Sequence, residues 1–124
     1  MKSSFVLAYS TARDAQEARA IAAAVVTERL AACANIIDGM NSLYFWEGKL
    51  CDEHEAVLIV KTRKSLFPRL MSRIRELHSY DVPCIVALPI VDGNPPFLSW
   101  ISANTQTPKP PKRTKKEKNG RTRT

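Results

Sequence analysis

The chain has little of what most metal cages and most hydrolases are built from: two histidines and three cysteines in 124 residues. Cys33, Cys51 and Cys84 are odd in number and show no C-x-x-C spacing. That speaks against a disulfide framework or a closed structural zinc site, and for reduced thiols in a cytoplasmic setting. No apolar run approaches the roughly 18 residues of a membrane span, so no membrane insertion is expected. The apolar run Phe5–Ala8 meets Arg13, Asp14 and Glu17 too soon for a signal peptide, and the acidic pair argues against a transit peptide. Also missing are G-x-S-x-G, a P-loop, G-x-G-x-x-G and H-E-x-x-H. A nucleophile pair such as Cys33 or Cys84 with His78 is combinatorially cheap, and the chain reads as non-catalytic.

The net charge of +7 is not spread over the chain. Eight of the nineteen Lys/Arg lie in residues 105–124 against Glu117 alone, so residues 1–104 carry eleven basic and eleven acidic side chains. Two regions follow: a neutral domain over 1–104, and a basic tail over 105–124 rich in Pro, Thr, Lys and Arg that is expected to be disordered. Within it Lys112, Arg113, Lys115 and Lys116 suit weak, sequence-independent contact with polyanions, strengthened by avidity if several copies assemble. The alternative is a solvated extension.

Phe5–Ser10 reads as a first strand. Thr11 or Asp14 can cap the next helix, whose positive end suits Asp14 and Glu17. Ala18, Ile21, Ala22, Val25, Val26 and Leu30 recur at helical spacing, which predicts a helix over Ala15–Leu30. Cys33–Phe45 reads as a strand broken by a bulge or bend at Asp38-Gly39, and Glu47-Gly48-Lys49 as a hairpin turn. The following strand, Leu50–Thr62, starts polar and ends in the solid apolar run Ala56–Val60, as expected of a strand covered on both faces. These two strands are long for a small domain, and an overhanging hairpin favours strand pairing between copies. Ser65 can cap a second helix with Pro68 in its first turn and Leu66, Leu70, Ile74 and Leu77 on its apolar face. His78–Pro83 forms the exit loop, Cys84–Pro89 a last strand bracketed by prolines, and Pro95–Ile101 a short terminal helix. The order βαββαβ plus a helix predicts an α+β, ferredoxin-like split βαβ sandwich.

One ordered set of motifs runs through this pattern. Arg29-Leu30-Ala31-Ala32-Cys33-x-Asn35 is followed by Tyr44-x-Trp46-Glu47-Gly48-Lys49, Lys61-Thr62, His78-x-Tyr80-Asp81-Val82-Pro83, Ala87-Leu88-Pro89-Ile90 and Phe97-Leu98-x-Trp100-Ile101. Together they resemble the CutA divalent-ion-tolerance family over roughly residues 5 to 101. The resemblance implies a ferredoxin-like subunit in a compact homotrimer whose long hairpins pair between subunits. It also implies a role in tolerance of divalent metals, copper in particular; some relatives are tied instead to assembly of a cell-surface enzyme. Three positions depart from the family pattern: Ser79 replaces a proline, Asp81 replaces a glutamate one methylene longer, and Cys84 stands where glutamate is usual.

Each candidate site has a plainer reading beside it. In the family Cys33 is a metal-ligand candidate, and thiolate with imidazole suits Cu(I); otherwise it is a small buried apolar residue. His78 and Asp81, with Tyr80, put an imidazole, a carboxylate and a phenol on one loop, enough for a metal or small ligand; otherwise His78 anchors the loop at the helix C-terminus. His54 sits among Asp52, Glu53 and Glu55, a solvated face before it is a copper site. Tyr44 and Trp46 share one side of their strand, and with Lys61 and Tyr80 they outline an inter-subunit pocket for a small anion, or else aromatic interface packing. That pocket carries the alternative function, a trimeric signalling or scaffold protein binding an anionic ligand or a protein partner. RNA-recognition domains share this strand order but need stacking aromatics on the third strand, and Glu55–Lys61 has none.

Overall fold

A computed structural model describes residues 4–106. It contains β1 (Phe5–Ala12), α1 (Ala15–Thr27), β2 (Cys33–Trp46), β3 (Lys49–Arg63), α2 (Phe67–Leu77), β4 (Ile85–Ile90) and α3 (Pro95–Ala103). The four strands form one antiparallel sheet in the order β2-β3-β1-β4. This is the expected split βαβ sandwich, with β2 and β4 at the open edges.

The alternation of each strand decides what is covered. Val6, Ala8, Ser10 and Ala12 of β1 lie opposite Thr62, Val60, Leu58 and Ala56 of β3, and all eight are buried. Against this face pack Ala18, Ile21, Ala22 and Val25 of α1, with Leu70 and Ile74 of α2. The small alanines bring α1 close to the sheet. Among the described residues neither α1 nor α2 covers the opposite face, and Ile37, Val86 and Leu88 there are about half exposed.

Helix α1 begins as its sequence suggests: the Asp14 carboxylate accepts the Glu17 N–H at 2.8 Å. It ends three residues before Leu30. Arg29 turns left-handed (φ 61°), its N–H donates to the Val26 carbonyl and the Leu30 N–H to Val25, a C-terminal wrap usually made by glycine. The Asp38-Gly39 interruption is a bulge: the β2–β3 register shifts between Ile37 and Met40, with Gly39 at φ 78°. Gly48 (φ 80°) closes the hairpin.

Two local expectations are corrected. Ser65 does not cap α2; it lies in a 3-10 turn over Lys64–Leu66, and α2 starts with no side-chain cap, its Pro68 lacking an N–H that needs one. Pro89 lies inside β4 rather than beyond it, paired with Val6. An edge strand tolerates this because a proline nitrogen can face the open side.

The domain continues past Asn104. The Thr105 hydroxyl donates to the Ile101 carbonyl, and Gln106 donates through its N–H to Arg29 O and through its amide to Glu28 O. The tail residues Lys112, Arg113, Lys115 and Lys116 lie outside the described residues.

Candidate functional site

The loop after α2 is tied to the start of α1 by two side chains. The His78 side chain is fully buried, its Nε2 2.7 Å from the Thr11 carbonyl oxygen and its Nδ1 3.1 Å from the Tyr80 N–H. A carbonyl only accepts and a backbone N–H only donates, so Nε2 is the donor to Thr11 and Nδ1 the acceptor from Tyr80. Both ring nitrogens are thereby used, and no lone pair is left for a metal. Glu17, also buried, accepts the Arg13 N–H at 2.9 Å and the Ser79 N–H at 2.7 Å. Burial pushes its carboxyl up, but the bonds from Arg13 and Ser79 together outweigh it and hold the pKa below the ordinary value.

Cys33 lies elsewhere. It pairs with Lys61, whereas Thr11 pairs with Val57. Four residues along β3 separate the two places, roughly 14 Å at strand rise. Beside Cys33 the Lys61 ammonium sits 3.9 Å from the sulfur and donates to the Asn35 side-chain oxygen at 2.8 Å. A fixed positive charge there opposes a metal cation. Asp81 is exposed on the loop. The single chain therefore does not bring Cys33, His78 and Asp81 together, and among the described residues no three His, Cys, Asp or Glu side chains form a metal-holding group. His54 is exposed on the hairpin arm.

Of the four residues expected to share a pocket, three do. Tyr44, Trp46 and Tyr80 line a groove of about 740 Å³ on the helix-free side, together with Tyr9, Met40 and Glu55. Lys61 is not among the residues that line it within the single chain. Glu55 replaces it in sign. It is buried, and its carboxylate accepts the Tyr80 hydroxyl at 2.7 Å. Burial and then this bond push the Tyr80 phenol well above its ordinary pKa. Sequence reasoning left Glu55 in the solvated arm; its position one residue before the buried run was the available signal. Glu17 was read only as a favourable charge at a helix start, and its bond to Ser79, 62 residues away, had no local signal.

An α+β sandwich with a long hairpin and a loop pinned through His78 defines a ferredoxin-like fold. The family described as CutA1 divalent ion tolerance protein matches residues 6–104. The divalent-cation tolerance protein CutA of Thermus thermophilus is 48% identical over 95 residues, covering 77% of this chain and 92% of that protein. Mouse protein CutA is 41% identical over 100 residues, covering 81% of this chain but 56% of its own length. Among solved structures, the Thermus thermophilus CutA1 superposes with a TM-score of 0.80 at 45% identity, covering 82% of this chain and 99% of that one. CutA1 of Oryza sativa gives 0.82 at 38% identity, covering 84% and 95%. The chain belongs to the CutA1 divalent ion tolerance family.

Proposed function

We propose that the chain works as a non-catalytic homotrimer in tolerance of divalent metals, copper among them, without a metal cage inside a single subunit. Family membership supports the metal-tolerance role, since its relatives carry that name. The observation that carries assembly is uncovered apolar surface. Leu43 is 65% exposed, Phe45 75% and Leu50 65%, on a hairpin reaching beyond the sheet, and the helix-free face adds Ile37, Val86 and Leu88. Monomers rarely leave so much contiguous apolar area in water, and a closed ring of copies buries it. The resemblance to the family supports three copies.

Copper contact then depends on donors presented singly or between subunits. Cys51 is a partly exposed free thiol, a soft donor suited to Cu(I), whereas Lys61 beside Cys33 disfavours a cation there in the single subunit. Free thiols also favour a reducing, cytoplasmic location. His78, with both nitrogens engaged, is a loop anchor. The test is complementation: a strain made copper-sensitive by loss of its own CutA should recover growth when this chain is expressed. Copper sensitivity unchanged at full expression of the soluble protein refutes the tolerance role.

The alternative, a trimeric signalling or scaffold protein holding a small anion or a protein partner where the aromatic groove meets a neighbouring subunit, would need that neighbour to supply the charge partner. No basic side chain lines that groove, and Glu55 and Asp81 do.

A further inference from the structure

The domain is neutral as a whole, but its charges are sorted. The hairpin segment 38–55 holds five carboxylates against Lys49, whereas residues 63–77, which lead into α2 and form it, hold five cations against Glu76 alone. Carboxylates on this side are already paired. Arg73 holds Glu28 through two parallel bonds and Glu76 through a third, and Arg13 holds Asp14. Lys64, Arg69 and Arg75 are exposed and form no ion pair among the described residues. Arg69 and Arg75 lie roughly 9 Å apart in helix rise, with the exposed Ser72 between them. One unpaired carboxylate, Asp81, shares with Arg75 the hollow beyond the end of α2.

The basic tail starts at the same place. Gln106 is fastened to the Glu28 and Arg29 carbonyls, Glu28 is bridged to Arg73 of α2, and Arg63 donates to Ser102 and Thr105. Three residues of chain reach at most roughly 11 Å, so connectivity alone keeps Lys109, the first of the eight tail cations, within that distance of Gln106. Strongly salt-dependent polyanion binders make on the order of six to ten phosphate contacts. The three unpaired cations at α2 fall short of that by themselves, and the tail supplies the remainder. This side also stays open when copies assemble, because the apolar surface assigned to assembly is the hairpin and the opposite face of the sheet.

We infer that the α2 cations and the tail form one interface for the phosphate backbone of a nucleic-acid duplex, gripped without sequence preference. Guanidinium forks and the exposed Ser65 and Ser72 hydroxyls suit phosphate oxygens. Other polyanions fit less well. A single strand calls for aromatic stacking platforms, and a membrane surface for apolar side chains that insert. Of the exposed large apolar side chains only Leu77 belongs to α1 or α2, and residues 107–124 hold no aromatic or aliphatic residue besides proline. The interface depends neither on the metal-tolerance role nor on the number of copies.

Fluorescence anisotropy of short labelled duplexes, titrated with the full chain in chelator over a series of salt concentrations, tests this. Two duplexes of unrelated sequence should bind alike, with affinity falling steeply as salt rises. The triple variant Lys64→Gln, Arg69→Gln, Arg75→Gln removes no ion pair and should keep the fold. It should bind at least about tenfold more weakly, with a salt slope lower by about three. Arg69→Gln alone should weaken binding about threefold. Lys49→Gln, which removes the same charge from the hairpin, should leave it unchanged. A triple variant that binds like wild type leaves the tail as the whole contact and overturns the inference. So does an Arg69→Gln variant no weaker than Lys49→Gln, or a wild-type chain that binds neither duplex. Tighter binding to a single strand, or to phosphatidylglycerol vesicles, overturns the choice of partner.

Discussion

Glu17 offers the sharpest perturbation of the pinned loop. Its two carboxylate oxygens each serve one backbone donor, Oε1 the Arg13 N–H and Oε2 the Ser79 N–H. Glu17→Gln keeps one acceptor and turns an amide N–H towards the other donor. One charge-assisted bond is lost and a part-buried donor is left unpaired, a cost of about 2 kcal/mol. Glu17→Ala loses both and should cost about 3–4 kcal/mol. The pH dependence gives a second handle. The native pKa of Glu17 lies below the ordinary 4.5, so its stabilisation is fully present above that value. It is lost as pH falls below 4.5 towards the depressed native value, because the unfolded chain takes up the proton first. Protonated Glu17 resembles Gln, so the gap between wild type and Glu17→Gln should narrow as pH drops from 7 towards 3. Equilibrium urea unfolding at one fixed protein concentration reads both effects, concentration being held because assembly shifts apparent stability. A Gln variant within 0.5 kcal/mol of wild type at pH 7, or a gap that does not change with pH, refutes the role assigned to Glu17.

Other outcomes follow from single contacts. Arg29 holds a left-handed conformation that costs an L-residue about 1–2 kcal/mol; after the looser unfolded chain is counted, Arg29→Gly should stabilise by about 0.5 kcal/mol in the same unfolding assay. The fully buried Thr62 hydroxyl donates to the Leu30 carbonyl at 2.7 Å, and Thr62→Val should cost about 1–2 kcal/mol by stranding that carbonyl. Deleting residues 107–124 should abolish salt-sensitive retention on heparin, by loss of Lys112, Arg113, Lys115 and Lys116, and leave the assembly unchanged; retention that persists places the polyanion contact on the domain instead.

The fold was legible because its signals are local. The periodicities of 3.6 in α1 and α2, the hairpin at Gly48, the break at Asp38-Gly39 and the cap at Asp14 each lie within a few residues of chain. What was not legible depends on register and long-range closure. Lys61 shares a residue type with pocket cations, but its pairing opposite Cys33 puts it at the other end of the sheet from Tyr80. Glu55 looks solvated beside Asp52, Glu53 and His54. It becomes buried only when the loop carrying Tyr80, 25 residues on, closes over it. The sequence leaves His78 between ligand and anchor, since its ring partner Thr11 lies 67 residues away. Ser65 fits the composition of a cap, yet the chain needed none where Pro68 follows.

The central claim, that uncovered apolar surface on the hairpin and helix-free face drives a homotrimer, is tested most directly by native mass spectrometry of the reduced full chain. A subunit of 13.9 kDa should appear at three times that mass. Phe45→Asp, placing a charge at a side chain 75% exposed in the single subunit, should shift the population towards a folded monomer. A wild-type protein that stays monomeric at micromolar concentration contradicts the account, as does a trimer indifferent to Phe45→Asp.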